Sequence, residues 1–559
     1  MEGKTTSGIM VTMLLICMLT LAFNGQTVGV SGTIYIRADG SVEGTDKITS
    51  VDNVTYTFTD NIFDSIVVER DNIIIDGAGY TVQGTEASES KGIYLSSRTN
   101  VTIKNMEIEA FEYGVYLYRS WNDSIVGNDI TANKGYGIWL RQSWNNSIVG
   151  NNITANKGGG ILLFDSSKIN SIIGNDITAN KGYGIELSDS SNNMLRGNSM
   201  ANNTYNFGVL GFLNFSDYVN DVDVSNTVDG KPVYYWINRQ DAAVPPDAGY
   251  VALVNCTRIT VQNLNLANNI QGVLLARTTN STITKNNMTN NGDGILFEWS
   301  SKYNRIVGNN IKNSGNGISL SSSSNNSIIR NNITANNHYG ILFLDSSNNT
   351  IYHNNFVNNT NQADAYNSVN VWDDGYPFGG NYWSNYNGID SNRDGIGDTP
   401  YVINHSADGN NTDNYPLMGM LYSYDVSYVQ PGLTVTMVSN STVSDFAVAV
   451  WIEHPEIRLI IFKIRGETGL GFCRLCIPKD LMPPPYVVII DGGQTPVMYY
   501  NGTLFDNGTH RWIYFTYPHS EHEVTILPEF PKAALLPLFI VLTVLAAIFR
   551  KRKNLKTVK

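Results

Sequence analysis

Short runs of alternating apolar and polar residues fill most of the chain, and they recur in a fixed pattern. Between residues 121 and 198, an Ile-Gly-Asn type of phrase and a later Gly-Ile pair return every 23 or 24 residues. Alternation broken by Asn, Gly and Ser predicts strands, and a fixed period in the twenties predicts a solenoid. No window shows the helical spacing that a helix-containing repeat needs. The pattern therefore predicts a parallel β-helix built of strands alone.

Asparagine occupies the same position in successive repeats, at Asn128, Asn151 and Asn175. Neighbouring coils of a β-helix lie about 4.8 Å apart, so these side-chain amides can bond to one another along the axis. We interpret them as an internal ladder and not as catalytic residues, because a residue that recurs in every repeat serves the recurring fold.

Changes in this pattern of apolar, polar and turn residues divide the chain into segments. The predicted fold class is all-β, a right-handed parallel β-helix solenoid followed by a small β-sandwich and a C-terminal transmembrane helix. The predicted order is a signal peptide (1–25), an N-terminal cap (31–71), the β-helix (72–360) with an insertion or distorted coils (205–250), an Asp- and aromatic-rich junction (361–417), the sandwich (422–527), a transmembrane anchor (533–549) and a basic cytoplasmic tail (550–559).

Both ends of the chain point to export. Lys4 precedes a short apolar run, which is typical of a secretory signal. Residues 533–549 are apolar and a basic cluster follows them, which predicts a cell-surface protein anchored by a C-terminal membrane helix. Residues 528–531 resemble the PEF-type sorting signal of archaeal surface proteins, and many Asn-x-Ser/Thr sequons predict a glycoprotein.

Composition narrows the function classes. The 559 residues carry a net charge of -12, only 15% are charged, and 42% are hydrophobic. These values indicate a folded, acidic protein of more than one domain. An acidic chain without a basic stripe is a poor nucleic-acid binder, so we expect no nucleic-acid partner.

The repeats, together with the phrases at 226–236, 380–383 and 390–401, resemble the archaeal branch of the NosD-type periplasmic copper-binding family. The resemblance covers roughly residues 50–417. It implies a β-helix of PbH1 repeats that is also called a carbohydrate-binding and sugar-hydrolysis domain, similar to polysaccharide lyases and mannuronan epimerases. Fold follows from such a resemblance more directly than activity does.

An outward aromatic column is the first candidate site. In each Gly-Ile-x-Leu-x phrase the Ile and Leu face inward, so alternation sends the residues between and after them outside. The residues predicted to bind carbohydrate in this way are Tyr116, Tyr118, Trp139, Phe164 and Glu186. Aromatic rings along a rod suit an extended glycan. The alternative is an apolar stripe that the 205–250 insertion or another molecule covers.

Catalysis on the same face would need paired carboxylates, or a base with a cation that neutralises a substrate carboxylate. Asp165, Asp189, Arg119 and Arg141 fall on or beside the face near Glu186, but they are sparse. No catalytic residue is assigned, and enzyme activity stays open. Polysaccharide recognition is the favoured function, with a lyase, epimerase or hydrolase, or a structural or adhesion protein, as alternatives.

A calcium loop is the second candidate site. Asp390, Asn392, Asp394 and Asp398 place oxygen donors at positions one, three, five and nine, with a carbonyl at Ile396. No glutamate follows at the twelfth position, so a full EF-hand is excluded. We predict structural Ca²⁺ here, with a plain Asp-rich turn as the alternative.

The number and positions of the histidine and cysteine residues indicate whether a copper site is expected. Copper sites need clusters of His, Cys or Met, but the coils contain only His338 and His353 as imidazoles, so copper delivery is not expected. In an exported chain, Cys473 and Cys476 are predicted to form a disulfide in preference to a metal site.

Overall fold

The computed structural model describes residues 32–212, 214–406, 409–451, 454–492 and 506–528. Parallel strands in this part of the chain coil into two successive solenoids of about 14 turns in all. Each coil contributes one strand to each of three sheets, and the inward positions hold Ile, Leu and Val that are completely buried. The predicted all-β parallel β-helix is thus confirmed.

The first solenoid has a front, a back and a side sheet. The parallel strands of the front sheet are Ile34–Ile36, Ile66–Val68, Lys91–Ser96, Tyr113–Tyr118, Tyr136–Arg141, Gly159–Phe164, Tyr183–Ser188 and Tyr205–Leu210. Those of the back sheet are Thr55–Phe58, Ile73–Asp76, Val101–Lys104, Ser124–Val126, Ser147–Val149, Ser171–Ile173, Met194–Arg196 and Asp221–Val222. Those of the side sheet are Thr81–Gln83, Glu107–Glu109, Asp129–Thr131, Asn152–Thr154, Asp176–Thr178, Ser199–Ala201 and Thr227–Val228.

Short antiparallel strands finish the outer end of this solenoid. Val42–Glu43 pairs with the front sheet and Ile48–Thr49 with the back sheet. Parallel pairing already joins Ile34–Ile36 to Ile66–Val68. The coils therefore begin inside the stretch 31–71 that the sequence predicts as a cap.

The second solenoid repeats the three-sheet plan. Its front strands are Lys231–Ile237, Tyr250–Val254, Gln271–Ala276, Asp293–Glu298, Asn316–Ser321, Tyr339–Leu344 and Asn361–Tyr366. Its back strands are Gln240–Ala243, Thr257–Gln262, Thr282–Thr284, Arg305–Val307, Ser327–Ile329 and Thr350–Tyr352. Its side strands are Asn265–Ala267, Asn287–Thr289, Asn310–Lys312, Asn332–Thr334, Asn355–Val357 and Tyr382–Trp383.

The two solenoids meet in the region 205–250 that the sequence predicts as an insertion. An antiparallel pairing of Thr227–Val228 with Lys231–Ile237 turns the chain, and a 3-10 helix, Phe215–Tyr218, lies beside it. Outward residues of the second front sheet, such as Leu274, belong to the same buried cluster as Val209, which faces into the first solenoid. The wall of the second solenoid therefore covers the open end of the first.

Asparagine ladders run along the inside of both solenoids. The amide of Asn128 donates to Asn151 over 3.0 Å, Asn151 to Asn175 over 2.9 Å, and the series continues to Asn198 and Asn226. Each of these amides also donates to a backbone carbonyl of a neighbouring coil, so buried polar groups at the corners are satisfied. The predicted ladder is confirmed.

A hairpin and two antiparallel sheets follow the coils. The hairpin strands are Tyr401–Ser406 and Gly409–Asp413. One sheet contains Met420–Asp425, Thr434–Ser439, Leu470–Pro478 and His510–Pro518, and the other contains Thr442–Trp451, His454–Arg465, Glu521–Pro528 and Tyr486–Ile490. Both sheets contribute to one apolar core that includes Phe462 and Leu475. We refer to this unit as the sandwich.

The prediction of a transmembrane helix is corrected. Within the described ranges, no helix is long and apolar enough to cross a membrane, and the described chain ends in the strand Glu521–Pro528. The described ranges are therefore all-β, and the predicted localisation through a C-terminal membrane helix is withdrawn. The stretches 1–25, 533–549 and 550–559, on which the signal, anchor and tail predictions rest, lie outside the described residues.

Candidate functional site

The outward residues of the first front sheet fall into three rows that run parallel to the solenoid axis. Strand register aligns the middle row as Tyr94, Tyr116, Trp139, Leu162, Glu186 and Gly208. One flanking row holds Tyr118, Arg141 and Phe164, and the other holds Lys91, Tyr113, Tyr136, Gly159, Tyr183 and Tyr205. The structure thus brings all five predicted carbohydrate-binding residues onto one surface, which we call the front face.

Rings of the middle row stack along the axis. The ring centroids of Tyr94 and Tyr116 are 5.5 Å apart, and those of Tyr116 and Trp139 are 4.8 Å apart, with nearly parallel planes. The rings therefore cover one another's faces and point their edges away from the solenoid. A sugar cannot stack on the inner rings, so a glycan here would contact ring edges, hydroxyl groups and the flanking side chains.

Glu186 follows Leu162 in the middle row and is almost completely buried. Only 8% of the residue is exposed, and this burial raises the pKa of its carboxyl to about 7. The hydroxyl of Tyr136 donates to Oε2 of Glu186 over 3.4 Å, which favours the ionised form and partly offsets the effect of burial. The carboxyl is therefore poised to hold or release a proton near neutral pH.

The second solenoid forms a step directly beyond this carboxyl. Gly208, the neighbour of Glu186 in the row, has no side chain, and a Cβ there would lie 2.3 Å from Cβ of Ile270. The backbone amide of Ile270 donates to the Phe207 carbonyl over 3.0 Å, and the side-chain amide of Gln271 donates to the Val209 carbonyl over 3.1 Å. Glu186 thus lies at the inner corner between the two solenoids.

Arginine and acidic side chains border the front face. Arg141 forms an ion pair with Asp165 at 3.3 Å, and its guanidinium lies 5.9 Å from the ring centroids of both Tyr118 and Phe164. The Gln142 amide also donates to Asp165 over 2.8 Å. Asp165 therefore serves a surface network and is not free to act as the second carboxylate of a hydrolase.

Several residues of the face were missed from the sequence. Tyr113, Tyr136, Tyr183 and Tyr205 open successive front strands, and the last two stack with centroids 5.8 Å apart. Three of these tyrosines stand directly before the Gly-Ile or Gly-Val pair that marks each repeat. That position was an available signal, because the Gly faces inward at the corner and the residue before it must face outward.

The predicted calcium residues lie close together in one loop, in which Asn392 and Asp398 are exposed and Asp394 is buried. The carboxylate of Asp390 accepts hydrogen bonds from the backbone amides of Asp394 and Gly395, both at 2.9 Å. Asp394 accepts from the Ile396 amide over 2.8 Å and from the Asn392 side chain over 3.0 Å, and Asp398 accepts from the Ser391 amide. These contacts account for the loop without an ion, and Ca²⁺ at this loop stays a prediction.

The expectation that copper is not delivered rests on the sparse imidazoles of the coils, and it stays a prediction. No group of three or more His, Cys, Asp or Glu side chains that could hold a metal ion occurs in the described ranges. Among the coil imidazoles, His353 is buried and its Nε2 lies 3.1 Å from the carbonyl oxygen of Phe378. A ring nitrogen that donates to a carbonyl is not available to a metal.

The disulfide prediction is wrong. Cys473 and Cys476 lie on the same strand, Leu470–Pro478, and both carry free thiols. Residues three apart on a strand point to opposite faces and lie about 10 Å apart, which is too far for a bridge. Cys473 accordingly faces the sandwich core, and Cys476 faces the second solenoid.

Family comparisons match two stretches of the chain. Residues 247–388 match the family described as periplasmic copper-binding protein (NosD). Residues 47–209 match the family described as right handed beta helix region. A search of curated proteins gives no significant match.

Solved structures resemble the chain at low identity. A tailspike protein mutant of an E. coli bacteriophage in complex with a pentasaccharide is 8% identical, covering 86% of this chain and 82% of its own, with a TM-score of 0.30. The A-module of a mannuronan C-5 epimerase from Azotobacter vinelandii is 16% identical, covering 61% of this chain and 90% of its own, with a TM-score of 0.24.

The two family matches fall on the two solenoids. The right-handed β-helix match lies within the coils of the first, and the NosD match covers most coils of the second. The first solenoid is thus similar to the family described as right handed beta helix region, and the second is similar to the family described as periplasmic copper-binding protein (NosD).

Proposed function

We propose that the front face of the first solenoid binds polysaccharide, with the surface around Tyr136 and Glu186 as its centre. The single observation that carries the proposal is the Tyr136–Glu186 pair, a buried carboxyl with a tyrosine hydroxyl 3.4 Å away, at the corner of a flat aromatic face. Such a pair offers the hydroxyl and carboxyl oxygens as acceptors beside apolar ring edges. Sugars present the matching combination of hydroxyl groups and apolar C–H surfaces.

Charges on the face favour an acidic glycan over a neutral one. Arg119 and Arg141 lie beside the ring of Tyr118, at 5.0 and 5.9 Å from its centroid. Lys91 lies 5.4 Å from the ring centroid of Tyr94 at the other end of the row. Guanidinium groups bind carboxylates and sulfates in a bidentate manner. A uronate or sulfated chain could therefore contact the rings while its acidic groups meet these cations.

Acid–base catalysis is a second candidate that one observation favours. A pKa of about 7 on Glu186 is the value at which a general acid or base works best near neutral pH. Lyase and epimerase chemistry needs a base near the sugar C–H bond, and Tyr136 adjoins this carboxyl. Hydrolysis is less favoured because Asp165 is held in its ion pair with Arg141.

One experiment distinguishes these functions. The full chain is incubated with a panel of neutral and uronate polysaccharides, and both retention on the polymer and release of new chain ends are followed. We expect retention on uronate polymers that falls in Glu186→Gln and Tyr136→Phe. The matched control is Tyr303→Phe, which changes an exposed tyrosine of the second solenoid.

Each result has a distinct meaning. Equal retention of the two front-face variants and the control contradicts the proposed site. New chain ends that depend on Glu186 make the protein an enzyme. Neither retention nor chain ends on any polymer contradicts carbohydrate recognition and favours a structural or adhesion role.

A further inference from the structure

A cavity of about 390 Å³ lies between the second solenoid and the sandwich. Its walls come from the second back sheet, from the segment before the hairpin, and from the outer side of one sandwich sheet. The chemistry of the lining is concentrated in Arg305, Arg330, His353, Asp374, Arg474 and Cys476.

The interface around this cavity is held by specific contacts. Asn355 of the second side sheet exchanges two hydrogen bonds with the backbone of Leu421 in the sandwich, at 2.9 and 2.8 Å. The ring of Phe378 packs edge-on against Trp512 with centroids 5.2 Å apart. The cavity is therefore a fixed feature of the docked units.

Two of the lining arginines lack partners for their buried nitrogens. Arg474 is only 4% exposed, and its Nη2 donates to the carbonyl of Pro377, but its Nε is buried without a hydrogen-bond partner. The Nε of Arg330 is likewise buried and unpartnered. Burial lowers the pKa of both guanidinium groups. Burying a charge without a counter-charge is costly.

None of the three lining arginines is held in an ion pair with a residue that the structure describes. No ion pair joins Arg305, Arg330 or Arg474 to a carboxylate within the described part of the chain. Asp374 is the acidic side chain among the lining residues. Asp390 and Asp394 lie near enough to Arg474 to act on its charge, but they are not among the lining residues, and their oxygens accept hydrogen bonds from their own loop. Among the lining residues, three arginines thus accompany one aspartate.

His353 adds an acceptor to these donors. Since its Nε2 donates to the Phe378 carbonyl, its Nδ1 is an unprotonated acceptor, and that atom is also buried without a partner. Burial holds the pKa of this imidazole at about 4, so the ring is neutral at neutral pH. The cavity therefore combines cationic donors with one neutral acceptor.

We propose that this cavity binds a small oxyanion, a carboxylate, sulfate or phosphate group, between Arg330 of the solenoid and Arg474 of the sandwich. The anion supplies a counter-charge to two guanidinium groups that line the cavity and form no ion pair in the described part of the chain. Since one arginine belongs to each unit, the bound anion also ties the sandwich to the solenoid. The volume exceeds that of a bare oxyanion, so a sugar acid fits better than an inorganic ion.

Calorimetric titration of the full chain tests the proposal. The probes are sodium sulfate, sodium phosphate and sodium glucuronate at millimolar concentration, each against sodium chloride of equal ionic strength. We expect saturable binding at one site, and at least tenfold weaker binding in Arg330→Gln and Arg474→Gln. The control Arg465→Gln changes an exposed arginine of the sandwich and is expected to bind as the parent does.

The probes also separate the possible sources of the anion. Tighter binding of glucuronate than of the inorganic anions identifies a sugar acid, and equal binding identifies a free inorganic oxyanion. If Arg474→Gln does not fold, Arg330→Gln and the exposed Arg305→Gln decide the result. Absence of saturable binding for all three probes, or equal affinity in parent and Arg330→Gln, overturns the proposal.

Discussion

Tyr136 donates its hydroxyl hydrogen to Glu186 from two coils away, over 3.4 Å and across 50 residues of sequence. The intermediate coil carries Gly159 at the position between Tyr136 and Tyr183 in the row. A Cβ at Gly159 would lie only 2.8 Å from the ring of Tyr136. The absence of a side chain thus lets the tyrosine ring lean along the axis and reach the carboxyl.

Glu186→Gln is expected to remove a pH dependence of stability. The folded carboxyl titrates near pH 7 and the ordinary value is 4.5, so the folded chain holds this proton to a higher pH than the unfolded chain. Unfolding then releases a proton between these values, and the free energy of unfolding falls as pH rises from about 4.5 to about 7. Above pH 7, this carboxyl lowers the free energy of unfolding by up to about 3 kcal/mol relative to its value below pH 4.5.

Urea unfolding at pH 5 and pH 8 measures this effect. Burial also raises the pKa of Asp123, Glu298 and Asp413 to about 7, so the relevant quantity is the difference between variant and parent. The exposed Glu467→Gln serves as the control. The same pH dependence in Glu186→Gln and in the parent would contradict the raised pKa.

Gly159→Ala is expected to break the Tyr136–Glu186 hydrogen bond. The added methyl group meets the Tyr136 ring at 2.8 Å and the Tyr183 carbonyl oxygen at 2.9 Å, so the ring must move. We expect a destabilisation of about 1–3 kcal/mol, as for other overpacked sites, and weaker retention on polysaccharide. Gly32→Ala is the control, since a Cβ there meets nothing within 4 Å. Unchanged retention in Gly159→Ala would show that the Tyr136–Glu186 hydrogen bond is not needed for polysaccharide binding.

Asn151→Ala is expected to destabilise the first solenoid strongly. The Asn151 oxygen accepts from the backbone and side-chain amides of Asn128, and its own amide donates to Asn175 and to the Ile125 carbonyl. Removing the side chain leaves several buried groups unpaired, each at about 1–3 kcal/mol.

Thermal or urea unfolding compares the stability lost in Asn151→Ala with the stability lost when the neighbouring asparagine is replaced. Asn152 is exposed, and its amide makes one surface hydrogen bond to Asp129. We expect Asn152→Ala to change stability by less than about 0.5 kcal/mol. Similar losses in both variants would show that the ladder adds nothing beyond surface contacts.

Thiol labelling of the unfolded chain without reductant is expected to modify both Cys473 and Cys476, because the two thiols are free. In the folded chain both should react slowly, since burial raises the pKa of each thiol to about 11 and keeps the reactive thiolate scarce. Protection of both residues from labelling in the unfolded, unreduced chain would instead support a disulfide between them.

The calcium loop makes a separate prediction. If Ca²⁺ binds at Asp390, Asp394 and Asp398, a chelator lowers the melting temperature of the protein, and Asp394→Ala removes that response. A melting temperature that Ca²⁺ and chelator leave unchanged, in the parent and in the variant, would leave the loop as an Asp-rich turn held by its own hydrogen bonds.

Sequence periodicity predicts what neighbouring coils share. Alternation placed Tyr116, Trp139 and Glu186 on one outer surface, and the repeated asparagines gave the internal ladder, because both features depend on position within a coil. Periodicity could not predict the corner around Glu186, because that corner depends on how the second solenoid packs against Gly208. The arginine cavity was missed for the same reason: Arg330 and Arg474 meet only through docking of two separate units.

The way the solenoids meet also bears on assembly. A stack of coils exposes unpaired strand edges and an apolar core at its end, where another copy of the chain could add itself. Here the wall that contains Leu274 and Leu296 closes that end of the first solenoid, and the short strand Val42–Glu43 pairs at the other. Both ends of the first solenoid are thus covered by the chain itself, and displacing the second solenoid is expected to expose an end to which another copy can add.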